Sequence, residues 1–401
     1  MLMPRVLRII NRFNLGGPTY NAAYLSRYLS DDFETLLIGG EKDDSEGSSE
    51  YIVENLGLKP VVLPEMKRSI DPLKDLRALR KVRQIIKDFK PDIVHTHASK
   101  AGTIGRLAAS QMGVPIVVHT FHGHVFHSYF SRAKTNIYKN IERFLARKSD
   151  KIIAISEIQK NELSQIHKIC DPKKIEVIPL GFDLNRFTQN QPAIRKEFRD
   201  QYHLKDDEIA IGIIGRLVPI KNHQFFLESL KSLLEKSDKK IRAFIIGDGE
   251  LRDELQSSCD KLGLDYSTNA DRPASIQFTS WIKQVEGPCA GLDIVCLTSL
   301  NEGTPVSLIE AHAAGKPVVS TNVGGIENVV LRNHSAFLAE KTDNNAFVEG
   351  LLKLVKSESL RQVMGNKGRE FVLERFHYTR LIDDVERLYR ELLDSKRIAA
   401  L

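Results

Sequence analysis

Two glutamates with seven residues between them mark the segment EGTPVSLIE at 302–310. Thr304 suits the N-cap of a helix and Pro305 its first position, so we expect a helix to begin there. Glu302 then lies in the preceding loop, and Glu310 lies about one and a half turns into the helix. Carboxylates at these places can accept hydrogen bonds from sugar hydroxyls. Glu310 is suited to accept from the two hydroxyls of a ribose. A solvated helix is the alternative interpretation.

Two cations directly follow a buried apolar run at 209–214. Arg216 and Lys221 stand in the segment GRLVPIKN at 215–222, at a predicted strand end and helix start. A guanidinium fork and an ammonium charge placed together there can hold a diphosphate. Ordinary surface cations are the alternative, but the position after a buried strand favours an anion site.

Paired glycines near the N-terminus suggest a further anion-binding turn. Gly16 and Gly17 follow the first apolar run and precede a helix predicted over residues 18–29. Glycines allow a ligand to approach the backbone, and a helix N-terminus exposes N–H groups to an anion. The pattern is not GxGxxG, which argues against a nicotinamide or flavin cofactor. A plain tight loop is the alternative.

Four histidines occur within nine residues at 119–127, after another apolar run. A metal site is one interpretation, but neither a cysteine cluster nor an HExxH spacing accompanies them. His95 and His97, two residues apart, should share a strand face and lie partly in the core. The chain contains no DxD triplet, which disfavours a site dependent on Mg²⁺ or Mn²⁺.

These candidates follow strands in a pattern that occurs twice. Short β-branched runs alternate with helix-length segments, first at 6–10, 35–38, 61–63, 93–96, 116–120, 152–155 and 175–178, and then at 209–214, 243–246, 276–278, 294–297 and 318–320. This alternation predicts an α/β protein with two doubly wound parallel sheets. The pattern breaks near residues 179–192, where we expect a linker, and residues from about 351 to 400 are predicted to be helical.

Composition limits the class of protein. A chain of 401 residues with 42% hydrophobic and 27% charged residues predicts two or three globular domains. It has no run of ~18 apolar residues and no secretory signal at its start, so we expect a cytoplasmic protein. Its four cysteines form no CxxC pair, which indicates reduced thiols and no structural zinc.

The net charge of +6 is unevenly distributed. Residues 67–90 contain nine Lys or Arg against three Asp, in a predicted amphipathic helix, and residues 131–151 contain seven against two acids. A solvated basic face is favoured over a surface for anionic lipid or a charged acceptor. Nucleic acid is disfavoured, because no basic stretch is interleaved with aromatic residues.

The two glutamates, the GRLVPIKN segment and the Gly-Gly loop together resemble glycosyltransferase family 4, retaining enzymes of GT-B fold among the glycosyl transferases group 1. The resemblance covers essentially the whole chain and includes IGDGE at 246–250 and STNVGG at 320–325. It implies two Rossmann-like domains facing across a cleft. Residues 1–185 would bind the acceptor and residues 186–377 the nucleotide-sugar, with a C-terminal helix at about 378–401 packing back on the first domain.

The resemblance also assigns residues to the donor diphosphate. Arg216 and Lys221 would grip it, and Gly16 and Gly17 would approach its distal phosphate. The backbone amide of Val306 would donate to a phosphate oxygen.

The remaining candidates would contact the sugars. Glu302, with the backbone of Gly303 and Thr304, would hold the donor sugar, and Glu310 would bind the ribose. His122, in the context TFHG, resembles the active-site histidine that contacts the transferred sugar. Glu302 would be an orienting group, and the sequence does not establish it as a nucleophile.

The implied reaction transfers a sugar from a nucleotide-sugar, UDP-linked or alternatively GDP-linked, to a sugar or lipid-linked sugar in polysaccharide or glycolipid biosynthesis. Retention of configuration and independence of metal are expected, because cations and helix amides would stabilise the departing diphosphate. Peripheral attachment to the inner face of the plasma membrane is a further hypothesis. A nucleotide-sugar epimerase of the same fold and a non-catalytic nucleotide-sugar-binding protein are the alternatives.

Overall fold

The computed structural model describes residues 3–13, 17–41, 50–67, 71–123 and 132–400. The chain forms two compact units, a first unit of Met1–Phe182 with Phe376–Leu401 and a second unit of Asp183–Arg375. The domain ends expected at residues 185 and 377 lie within a few residues of these boundaries.

The first unit contains a parallel sheet of seven strands in the order β3-β2-β1-β4-β5-β6-β7. Its strands are β1 (Arg5–Arg12), β2 (Glu34–Gly40), β3 (Val61–Val62), β4 (Ile93–His97), β5 (Ile116–Phe121), β6 (Lys151–Ala154) and β7 (Ile175–Val177). Its first six helices are α1 (Gly17–Tyr28), α2 (Glu50–Asn55), α3 (Pro72–Phe89), α4 (Ser99–Gln111), α5 (Arg132–Arg147) and α6 (Glu157–Asn161). The amphipathic helix predicted in the basic segment 67–90 is confirmed as α3.

The second unit contains another parallel seven-stranded sheet, in the order β10-β11-β9-β8-β12-β13-β14. Its strands are β8 (Glu208–Ile214), β9 (Lys240–Ile246), β10 (Tyr266–Ser267), β11 (Ile276–Ser280), β12 (Ile294–Leu297), β13 (Val318–Thr321) and β14 (Ala336–Ala339). The helices that follow α6 are α7 (Gln191–Gln201), α8 (His223–Lys236), α9 (Arg252–Leu262), α10 (Glu286–Gly291), α11 (Val306–Ala313), α12 (Asn344–Lys356) and α13 (Glu358–Phe376).

The last helix, α14 (Tyr378–Ala400), belongs to the first unit. Its apolar face, from Leu381 to Tyr389, packs in one core cluster with Val6 of β1, Ile93 of β4 and Ile116 of β5. Most side chains of the parallel strands are buried, and most of the buried ones are apolar, as is usual for parallel sheets.

Candidate active site

In the second unit, the loops after β8 and β12 meet at the point where strand order reverses, which is where open α/β sheets bind ligands. The structure brings together Lys221 from the first loop and Glu302 from the second. Lys221 Nζ donates to Glu302 Oε1 at 2.5 Å, and Ser299 Oγ donates to the same oxygen at 2.6 Å. Both charged side chains are mostly buried, so the contact holds them in fixed positions.

Hydrogen bonds to the backbone join these two loops. Thr298 Oγ1 donates to the carbonyl oxygens of Lys221 and Asn222, both at 3.0 Å. The Leu300 N–H donates to the Ile220 carbonyl at 2.8 Å. The lysine and the glutamate are therefore placed by the fold rather than by their own contact alone.

The two glycine-containing segments that extended the resemblance pack against the same loops. A Cβ on Gly247, at φ 142°, would lie 2.0 Å from the carbonyl oxygen of Gly215. A Cβ on Gly324, at φ 52°, would lie 2.0 Å from the carbonyl oxygen of Glu302. No side chain fits at either position, so these glycines set the backbone positions of the β8 and β12 loops.

The start of α11 differs from the sequence prediction. The helix begins at Val306, and Pro305 occupies the N-cap with φ −74° and ψ 93°. The prediction that Thr304 caps the helix and Pro305 is its first residue was wrong, because the proline takes the cap position and has no side-chain acceptor. Val306, as the first helical residue, has no partner for its N–H within the helix, and this amide can donate to an anion.

Glu310 lies one turn further along α11 and its side chain is only 15% exposed. Burial raises the pKa of its carboxyl to about 7. The guanidinium of Arg186 opposes this rise, and the neighbouring Glu286 carboxylate adds to it. Arg186 and Glu286 were missed by sequence reasoning, because neither belongs to a motif and the fold brings them to Glu310 from distant segments.

Two further side chains of the second unit are exposed. Arg216 is exposed in the loop after β8. Trp281, the single tryptophan of the chain, follows β11 and is 60% exposed. The sequence offered one signal for Trp281, a lone tryptophan directly after a strand.

In the first unit, His122 follows β5 and contacts His97 at the end of β4. Nδ1 of His97 lies 2.9 Å from Nε2 of His122, so one ring nitrogen donates and the other accepts. The rings are stacked at 5.2 Å between centroids. Burial lowers the pKa of His122 to about 3 and that of His97 well below its usual value, so both imidazoles are neutral.

His95 extends this polar cluster into the core. Its Nδ1 lies 2.6 Å from Tyr389 Oη on α14, and its Nε2 lies 2.7 Å from Thr120 Oγ1. Arg8 Nη2 donates to the same tyrosine oxygen at 3.2 Å. The rings of His95 and His97 are 4.3 Å apart and both residues are fully buried, which confirms the prediction that they share a strand face in the core.

Some of the predicted candidates lie outside the residues that the structure describes. Gly16, His124 and His127 lie outside the described ranges. Gly17 is the first residue of α1, one residue before the predicted helix start. Within the described ranges, no three His, Cys, Asp or Glu side chains converge as metal ligands would.

Comparison with known proteins identifies the class of this protein. Residues 194–371 match the family model of glycosyl transferases group 1, and residues 15–186 match that of glycosyltransferase family 4. The UDP-Gal:alpha-D-GlcNAc-diphosphoundecaprenol alpha-1,3-galactosyltransferase of Escherichia coli is 32% identical over 337 residues, 83% of this chain and 84% of the relative. The chain therefore belongs to the glycosyltransferases described by these two family models. It is an enzyme of the transferase class, as predicted.

Further relatives agree with this assignment. The capsular polysaccharide biosynthesis glycosyltransferase CapM of Staphylococcus aureus is 29% identical over 83% of this chain and 85% of its own. The structure of Anabaena Alr3699/HepE in complex with UDP has a TM-score of 0.80 at 19% identity, covering 96% of this chain and all of the other. A Rickettsia africae glycosyltransferase has a TM-score of 0.80 at 18% identity, with coverages of 98% and 99%. The predicted GT-B fold is thereby confirmed.

No helix in the described ranges has both the length and the apolar content needed to cross a bilayer.

Proposed function

We propose that this enzyme is a retaining, metal-independent glycosyltransferase that moves a sugar from a UDP-sugar to a sugar or lipid-linked sugar acceptor in polysaccharide or glycolipid biosynthesis. The observation that carries the proposal is the contact between Lys221 and Glu302 at the carboxyl ends of β8 and β12, beside the N-terminus of α11. The UDP complex of HepE supports the choice of nucleotide, and the named substrates of the E. coli relative support a lipid-linked acceptor.

The second unit carries the groups for the departing diphosphate. Arg216 and Lys221 supply two cations, and the N–H of Val306 supplies a preorganised donor at a helix N-terminus. Together they would stabilise the charge that develops as the diphosphate leaves, which is the task a metal ion performs in metal-dependent sites. The backbone of Gly16 and Gly17 would contact the distal phosphate of the donor.

The two glutamates would bind the two sugars of the donor. Glu310 would accept the ribose hydroxyls, while Glu302 and the backbone of Gly303 and Thr304 would orient the transferred sugar. Because Glu302 already binds an ammonium and a serine hydroxyl, its role is orientation of the sugar. The neutral His122 would contact a hydroxyl of the transferred sugar as a hydrogen-bond partner.

The proposed reaction proceeds on one face of the sugar. The bond between the anomeric carbon and the phosphate oxygen breaks, and the acceptor hydroxyl oxygen bonds to the same carbon from the same face. The acceptor proton passes to the departing phosphate oxygen, and the configuration is retained because the new bond forms on the face from which the diphosphate leaves. NMR of the product tests this step: an inverted anomeric configuration would contradict it.

Nucleotide binding is tested by calorimetric titration of UDP, GDP and ADP with EDTA present. We expect UDP to bind without metal and the Glu310→Gln variant to bind it more weakly. Glu235→Gln, a change on the exposed face of α8, is the matched control. If none of the three nucleotides binds, the proposed donor site is wrong. If the free donor sugar changes stereochemistry without an acceptor, the enzyme is an epimerase.

The proposed enzyme would also contact the cytoplasmic face of the plasma membrane as a peripheral protein, and the exposed residues of α5 support this part of the proposal. Ile137, Ile141 and Phe144 stand at i, i+4 and i+7 on one helix face and are 59%, 38% and 48% exposed. Arg147 and Lys148 are exposed beside them. The stripe combines apolar and cationic groups, as in helices that lie in a membrane interface.

The acidic residue of α5 does not offset the positive charge on the exposed face of the helix. Glu142, the single Asp or Glu in the helix sequence, is buried and pairs with Arg106 Nη2 at 2.7 Å. The exposed face described for α5 therefore carries positive charge without a compensating carboxylate. Anionic lipid is the partner that complements it.

Vesicle cosedimentation at low salt tests the membrane contact. We expect binding to vesicles with anionic lipid but not to neutral ones, and weaker binding for Ile141→Ser with Phe144→Ser. Val363→Ser, which removes a similarly exposed apolar side chain from α13, should leave binding unchanged. Equal binding to neutral and anionic vesicles would contradict the proposal.

A further inference from the structure

Arg186 lies between two carboxylates of the second unit. It stands in the short 3-10 helix Asn185–Phe187, whereas Glu286 begins α10 and Glu310 lies in α11. Arg186 Nη2 is 3.5 Å from Glu310 Oε1, and Arg186 Nη1 is 3.9 Å from Glu286 Oε2. One guanidinium thus forms ion pairs with two acidic side chains from separate segments.

The position of this guanidinium is held by a buried ring. The Arg186 Cζ lies 4.8 Å from the ring centroid of Phe187, and Phe187 is 1% exposed. Both carboxylates are largely buried, and a buried carboxylate is costly unless a cation or hydrogen-bond donors balance it. Arg186 supplies that balance from the solvent side, since its own side chain is 41% exposed.

The ionised form of Glu310 is the better acceptor for a ribose. A carboxylate offers acceptors to both ribose hydroxyls, whereas a protonated carboxyl group uses one oxygen as a donor and loses part of that capacity. The charges around Glu310 therefore decide how well it can bind a nucleotide. Both a stabilising cation and a repelling carboxylate stand beside it.

We propose that Arg186 is a positioning residue for nucleotide recognition, which holds Glu310 in its ionised form as an acceptor of hydrogen bonds from the ribose hydroxyls. Glu286 has the opposite effect, because its carboxylate favours the protonated form of Glu310. This inference rests on the proposed function, because it requires a nucleotide whose ribose meets Glu310. It adds a specificity determinant that distinguishes a ribose from a sugar without vicinal hydroxyls.

The neighbours of Glu310 determine the direction of each effect. Arg186 lowers the pKa of Glu310 and Glu286 raises it. Cys289 of α10 also interacts with Glu310, but burial raises the pKa of this thiol well above its usual value, so it is neutral. Lys316 interacts with Cys289 and donates to the Ala290 carbonyl at 2.8 Å, and burial lowers the pKa of its ammonium group to about 8. Arg186 and Glu286 are thus the two neighbours whose neutralisation should have opposite effects.

The test compares UDP with 2′,3′-dideoxy-UDP by calorimetry from about pH 5.5 to about pH 8.5, on either side of the pKa of about 7. Both ligands carry the same titrating phosphate, so the ratio of their affinities isolates the ribose contact. In the wild-type protein the preference for UDP should rise with pH, because ionisation of Glu310 strengthens the ribose contact. At pH 7, Arg186→Gln should lose about fivefold of this preference, because a one-unit rise from a pKa of about 7 lowers the ionised fraction of Glu310 from about one half to about one tenth.

Two further variants make the test specific. Glu286→Gln should move the midpoint of the preference to lower pH, opposite to Arg186→Gln, and Arg186→Lys should restore part of the preference. An Arg186→Gln variant that weakens both ligands equally, or midpoints that move in the same direction, would overturn the inference alone. A wild-type protein that binds neither ligand would overturn the proposed function together with it.

Discussion

The candidate histidine of the first unit is neutral, whereas the second unit contains a charged pair of lysine and glutamate. In the first unit, His95, His97 and His122 contact one another or hydroxyl groups, and burial keeps the pKa of each imidazole below its usual value. In the second unit, Lys221 contacts Glu302 through a charge-assisted hydrogen bond. Neutral hydrogen-bonding groups suit uncharged sugar hydroxyls, whereas cations such as Lys221 suit a diphosphate.

The largest effect should come from breaking the charged region. Lys221→Ala removes a cation from the proposed diphosphate site and leaves the mostly buried Glu302 without its ammonium partner. We expect kcat/KM to fall about 10²–10³-fold, the range for loss of a preorganised electrostatic group. Steady-state kinetics with a UDP-sugar measures the effect. Lys231→Ala on α8 is the matched control, and near-normal kcat/KM for Lys221→Ala would refute the assignment.

A smaller effect should separate hydrogen bonding from charge in the first unit. His122→Ala should lower kcat by up to about tenfold, as expected for the loss of a hydrogen bond of about 0.5–1.5 kcal/mol to the transferred sugar, and His122→Asn should retain more activity because an amide can also donate and accept. Because the pKa of His122 is about 3, the imidazole should stay neutral across the neutral pH range.

The wild-type pH profile provides the control for this prediction. It should contain no step near the ordinary histidine pKa that disappears in His122→Asn. If such a step exists and disappears in the variant, His122 acts as a charged group and the contrast between the units fails.

Tyr389→Phe should affect stability more than chemistry. The change removes the hydroxyl that contacts His95 and Arg8 in the core, at a cost of about 1–2 kcal/mol in the free energy of unfolding. Urea denaturation measures this loss, with the exposed Tyr28→Phe as control. A salt-independent loss is expected, because the contact with the neutral His95 involves no ion pair. An unchanged unfolding curve would contradict the role given to this hydroxyl.

The smallest effect is a spectroscopic one. Trp281 is the single tryptophan of the chain and is exposed after β11, so its emission reports on the second unit alone. Addition of UDP should change that emission, whereas a sugar acceptor alone should not. Fluorescence titration gives the result, and Trp281→Phe should abolish the signal. An acceptor-induced change would contradict the division of ligands between the units.

The sequence predicted the fold better than the contacts in the site. Each predicted strand overlaps an observed one, because the buried strands of a parallel sheet are rich in β-branched apolar residues. The prediction missed β10, which has two residues, and β14, whose sequence AFLA contains no β-branched residue. Local pattern carries little information on strands of these kinds.

Contacts between distant segments explain what was missed in the site. Lys221 and Glu302 were both selected from motifs, but their mutual contact depends on how two loops pack. Arg186 reaches Glu310 across 124 positions of sequence. At the start of α11 the sequence pattern was misleading, since Thr304 has the chemistry of a cap but Pro305 occupies the position. The assigned roles of the site residues remain predictions.

The contact between His95 and Tyr389 joins residues 294 positions apart. During synthesis, Arg8 and His95 leave the ribosome long before the hydroxyl that completes their cluster has been made. The second unit, a single continuous stretch, can finish folding while the first still lacks its final helix. A nascent chain can therefore complete the second unit before the first, although the first unit begins earlier in the sequence.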